Sequence, residues 1–275
     1  MTFASLYPNG SLGLVGVKRF FLIAMGLIAC TAAAGWHYRR PLMKGWRSIA
    51  QPIILGRDES PTPDPERYAT LKKEVERWRV ELAHKHAGAR TEEERNAVLE
   101  EARKFLEAAL PEMMRCWLGT RWDFNGTAEG PGEGKIACGY FVATVLKDAG
   151  FRVNRYKLAQ QPSQNILRTF LPRKSLNIKV GVPYDRYSAQ VASAEPGIRI
   201  IGLDSHVAFL VTRPDGFRFI HSSGSDPWCV VDEDSGGADV LRRSNYRVDG
   251  LLTADKTVLR RWLAGHKFQV KVQSS

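Results

Sequence analysis

The sequence predicts an α+β protein in which amphipathic helices come first and an antiparallel sheet follows. Three observations carry this. Two apolar stripes at helical spacing lie between residues 68 and 110, a Gly-rich loop opens into a short apolar helix at Cys138, and four short apolar runs after Gly197 are set apart by turn sequences. At 275 residues and 44% apolar, the chain can bury a core without a covalent framework from its four cysteines.

The first element is an N-terminal apolar run. Phe20 to Trp36 is 17 residues without a charge, entered through Lys18 and Arg19. That is the layout of a targeting segment, and three outcomes fit it: a short transmembrane helix, a leader cleaved near Ala32 to Ala34, or a lipoprotein leader. Leu27-Ile28-Ala29-Cys30 resembles the bacterial lipobox, which makes Cys30 a lipidation candidate. Residues 1–50 are therefore expected to anchor or target the protein to a membrane, leaving the body in the cell envelope and facing the periplasm or exterior. Residues 51–66, with Pro61, Pro63 and Pro65, read as a stiff linker, and 67–270 as the folded body.

Within the body, Tyr68, Leu71, Val75, Trp78 and Leu82 recur at steps of three and four and mark one face of a helix. Thr91 followed by Glu94 is a capping box, and Val98, Ala102, Phe105, Ala109 and Leu110 mark a second helix that Pro111 is expected to kink or restart. Gly119 to Gly134 holds five glycines in sixteen residues and reads as a long loop, with Trp122 and Phe124 arguing for order. Phe141, Val142, Val145 and Ala149 then share a helical face, Gly150 ends that helix, and Cys138 falls in its first turn. The runs Ile198 to Leu203, Val207 to Val211, Phe217 to Ile220 and Trp228 to Val231 predict antiparallel strands, and Lys256 to Ala264 a closing helix.

Charge sets limits on partners. Six basic residues and no acid lie in residues 1–50, which leaves only +5 of the total +11 on the remainder. With no dense basic stripe, zinc-finger spacing or phosphate loop, the body carries only a weak nucleic-acid signature, so no nucleic-acid partner and no cofactor are expected.

The chemistry centres on Cys138. A thiol attacks as thiolate, and the first turn of a helix favours the anion through its open N–H groups and dipole. Acyl transfer also needs a base in reach of the sulfur and a group to orient that base. Of the six histidines, His37 lies in the leader and His84, His86 and His266 near helix ends. His206 opens one expected strand and His221 closes the next, so a hairpin turning at Pro214-Asp215-Gly216 brings the two together. A zinc site built from Cys138, His206, His221 and either Cys229 or Asp232 is the other functional reading, though no pair has the close spacing of a zinc motif. Trp122 and Asp123 are candidates to line a substrate groove. Cys116 and Cys229 read either as a disulfide or as buried thiols.

A Cys at a helix head after a Gly-rich loop, then His-Val-Ala-Phe-Leu-Val, a turn, and Phe-Ile-His-Ser-Ser, resembles the NlpC type of papain-like cysteine peptidase over roughly Met113 to Cys229. The resemblance implies a papain-like domain in which Cys138 is the nucleophile, His206 the base and His221 the orienting residue. It implies hydrolysis of amide bonds in cell-wall (peptidoglycan) peptides, commonly beside a D-glutamyl residue. Members of that family usually read Asp-Cys-Ser-Gly at the nucleophile, where this chain has Ala137-Cys138-Gly139-Tyr140. A non-catalytic peptide-binding module on the same fold and a Cys-His acyltransferase are the alternative readings.

Overall fold

The structure, a computed structural model, describes residues 61–272, so the leader, its Cys30 and most of the linker lie outside the described residues. It is α+β, with eight α-helices among the described residues and one six-stranded antiparallel sheet. None of those helices is long and apolar enough to cross a membrane.

The helical lead-in forms as its periodicity requires. Asp64 caps α1 (Pro65–Gly88) by accepting from the Arg67 N–H, and the stripe from Tyr68 to Leu82 is buried. Thr91 and Glu94 make the reciprocal capping box of α2 (Glu92–Arg115). Contrary to expectation, Pro111 neither ends nor restarts this helix, which runs unbroken to Arg115. Leu106, Leu110, Met113 and Met114 are fully buried on either side of it, and that burial outweighs the one backbone bond that proline forfeits. The end of the proline-rich segment is not a free spacer. The Asp64 N–H donates to the Cys116 carbonyl at 2.8 Å, and the Pro61 carbonyl sits where a Cβ on Gly119 would be, so the segment straps onto the body.

After the Gly-rich loop come α3 (Cys138–Asp148), the short α4 (Arg155–Ala159) and α5 (Ser163–Phe170). The sheet then assembles from β1 (Asn177–Val180), β2 (Gly197–Leu203), β3 (Val207–Arg213), β4 (Gly216–Ser222), β5 (Val230–Glu233) and β6 (Tyr246–Leu251), in the order β1-β6-β2-β3-β4-β5. Between them lie α6 (Tyr184–Ala192) and α7 (Asp239–Arg243), and α8 (Lys256–Leu263) follows β6.

Helices cover both faces of the sheet. On one, Phe141 of α3 meets Phe209 edge-on with ring centroids 6.0 Å apart, and α5 approaches so closely that a Cβ on Gly202 would collide with Ser163. On the other, Ile201, Leu210, Phe217 and Phe219 pack under Tyr187 and Val191 of α6 and Leu241 of α7. The β3–β4 hairpin forms as expected and pairs Phe209 with Ile220. The last expected strand is displaced, since it begins at Val230 and not at Trp228. Trp228 is held at φ +56°, a left-handed conformation that cannot continue a strand.

Candidate functional site

The site is built where α3 meets the ends of β3 and β4. Cys138 is the first residue of α3, and its cap residue Ala137 brings no side chain to the first-turn N–H groups. The entry is fixed from both sides. The Ala137 N–H donates to the Gly126 carbonyl at 2.9 Å, and the Ser222 hydroxyl at the end of β4 donates to the Ile136 carbonyl at 2.7 Å. From α4, buried Arg155 reaches the Thr144 hydroxyl of α3 and the carbonyls of Thr127 and Ala128, which clamps the Gly-rich loop against the helix.

The hairpin brings the two histidines together. Nε2 of His206 and Nδ1 of His221 are 2.9 Å apart, with the rings nearly perpendicular at 89°. His221 is fully buried, its ring 4.3 Å from that of Phe219. The other nitrogen of His221, Nε2, lies 3.0 Å from Oε2 of Glu233. Because β4 pairs Phe219 with Glu233 and His221 with Val231, that contact runs diagonally across the two strands. His206, engaged with His221 through Nε2, lines the same cleft as Cys138.

Electrostatics at the site are dominated by burial. Burial pushes the Cys138 thiol up, against a downward pull from backbone N–H groups of Val207, Gly139 and Cys138 itself. The helix-head position alone predicts a lowered thiol; loss of solvent outweighs it. Burial also pushes His206 down to about 3, with His221 adding to the shift, and His221 itself down to about 3. At rest the site therefore holds a neutral thiol beside neutral imidazoles. Glu233 is raised to about 7, first by burial and then by the nearby Asp239.

Cys138 and His206 open onto a cleft of ≈ 1050 Å³. Trp122 forms part of its wall, packed so closely on Gly224 that a Cβ there would lie 3.0 Å from the indole. Its neighbour Asp123 faces an adjoining depression, where it accepts from the Asn125 N–H and from Lys135. Phe124 also borders the cleft but is 79% exposed, so it does not anchor the loop.

The remaining sequence candidates separate from this cluster. Cys116 and Cys229 are free thiols, and burial pushes the first up to about 12. The 2.9 Å between His206 and His221 leaves no room for an ion between those nitrogens, and Asp232 is engaged by Arg115 and Arg218. No group of three potential metal ligands occurs among the described residues. Glu233 is the site residue that sequence reasoning missed. It stands inside the run Asp232-Glu233-Asp234, which carries no signal until the strands are paired. Comparison of the chain with protein-family models, curated proteins and solved structures finds no match.

Proposed function

We propose that this protein is a thiol amidohydrolase on a papain-like, NlpC-type fold, acting on cell-wall peptides. The observation that supports it is that Cys138 and His206 line one cleft, with His206 hydrogen-bonded to the buried His221 behind it. In this reading His206 Nδ1 takes the thiol proton as the sulfur attacks the amide carbonyl. The Cys138 N–H faces the developing oxyanion, and His206 returns its proton to the leaving amine. Water, deprotonated by the same ring, then hydrolyses the thioester. Because the resting thiol and imidazole are both neutral, proton transfer accompanies attack and no ion pair precedes it.

The test is hydrolysis of a D-glutamyl-containing wall peptide by the full-length chain and by Cys138→Ala. Loss of turnover without loss of fold is expected, and unchanged cleavage by Cys138→Ala overturns the reading. The buried, raised thiol favours a second reading, a peptide-binding module that does not cut. It predicts retention of the wall peptide by wild type and Cys138→Ala alike, with no product from either.

A further inference from the structure

We propose that Glu233 is a positioning residue that sets the direction in which the buried His221–His206 pair holds its protons. The inference deepens the amidohydrolase reading and rests on it for its consequence, though not for its geometry.

Each neutral imidazole has one N–H and one bare nitrogen, so a chain of two imidazoles ending on a carboxylate has its polarity fixed by that carboxylate. An ionised Glu233 accepts only. His221 Nε2, 3.0 Å from Oε2, must then carry the proton, and His221 Nδ1 is bare. A bare His221 Nδ1 requires the proton on His206 Nε2, 2.9 Å away, and His206 Nδ1 is left bare, which is the form that the amidohydrolase reading needs in its base. When one proton is added at Oε2 of Glu233, the oxygen in contact with His221, that oxygen becomes the donor and every bond in the chain reverses. Glu233 donates to His221 Nε2, His221 Nδ1–H donates to His206 Nε2, and His206 now holds its proton on Nδ1, where it cannot act as a base.

The surroundings place this reversal near neutrality. From β4, His221 contacts Glu233 and Arg218 draws on its charge; Asp239 acts from α7, and Asp232 and Asp234 flank it in sequence. Arg218 is engaged with Asp232, so the cation that draws Glu233 down is already paired with its neighbour. Burial with this excess of acids raises Glu233 to about 7, while the histidines, held at about 3, remain neutral throughout.

The experiment is nitrogen NMR of the full-length chain carrying ¹⁵N-histidine, with the ring tautomers of His206 and His221 read from pH 5.5 to 8.5. Single substitutions of the other four histidines identify the signals. Wild type is expected to show both rings protonated on Nε2 at pH 8.5 and both on Nδ1 at pH 5.5. The non-ionisable, near-isosteric Glu233→Gln and the truncated Glu233→Ala are expected to lose this pH step. Tautomers that do not change in wild type, or that change alike in the variants, overturn the proposal. Cys138→Ala is expected to keep the step. An inactive enzyme with the tautomer switch therefore sinks the amidohydrolase reading alone, and an active one without it sinks the relay alone.

Discussion

The hydroxyl of Ser222 donates to the carbonyl of Ile136 at 2.7 Å, and this bond ties the end of the strand that carries His221 to the segment that delivers Cys138. Both groups are buried. Ser222→Ala leaves the Ile136 carbonyl without that partner, at a cost of about 1–3 kcal/mol. The expected result is a lower urea midpoint together with, under the proposed amidohydrolase function, a loss in kcat greater than any rise in KM, because Cys138 shifts while the cleft walls stand. A variant with wild-type stability and turnover would show that the bond positions nothing.

Gly139, beside Cys138, is constrained by contact and not by backbone angle. A Cβ there would lie 2.3 Å from the Ala159 carbonyl oxygen, so Gly139→Ala must push α4 away from α3. Overpacking of this kind costs about 1–3 kcal/mol. Thermal unfolding should show the loss, and Cys138 should alkylate faster as its cover opens. Unchanged melting and labelling would mean that α4 yields freely.

How much of this was legible in the sequence depends on where the signal was local. The stripes of α1 and α2, the head of α3 and the β3–β4 hairpin each depend on spacing within one segment, and they formed close to where spacing placed them. β6 was hidden because Arg247 and Asp249 interrupt its apolar pattern, although both are only 2% exposed. Arg247 donates to the carbonyls of Leu241, Val182 and Arg242, and Asp249 accepts from Arg199 and Asn177. Buried charge satisfied by distant partners looks like a loop in one dimension. β1 was missed for the opposite reason, being mostly exposed and without alternation. At the site, His206 and His221 were readable as hairpin partners, whereas Glu233 depended on the β4–β5 register, which no local pattern specifies.

Acid stability should reveal the buried histidines. Both sit at about 3 in the folded protein against an ordinary 6.5, so between those values the unfolded chain takes up protons that the folded one refuses. Their contribution is fully present above about 6.5 and is lost as pH falls toward 3. Glu233, raised to about 7 from an ordinary 4.5, works the other way: its contribution is present below 4.5 and lost as pH rises through 7. Two groups oppose one between pH 4.5 and 6.5, so the urea midpoint should climb with pH there. It should climb more steeply in Glu233→Gln, where the opposing group is gone. A midpoint that is flat or falling with pH in this window would contradict neutral burial of the pair.

The order of damage among site variants separates chemistry from packing. In the amidohydrolase reading, Cys138→Ala removes the attacking atom and His206→Ala the ring that both takes and returns the proton, so each should abolish measurable turnover. His221 acts through His206, and Asn can still present an acceptor to His206 Nε2, so His221→Asn should retain activity that His221→Ala loses. The stability costs should rank differently. His221 is wholly buried between His206, Glu233 and Phe219, and its truncation leaves a cavity and two polar groups without their partner. His221→Ala should therefore destabilise by about 2–4 kcal/mol, whereas His206→Ala, at the cleft surface, should cost less. Melting curves and wall-peptide hydrolysis measured on the same four preparations decide the matter. If activity falls only in step with stability across the set, the three residues are a folding cluster and carry no catalysis.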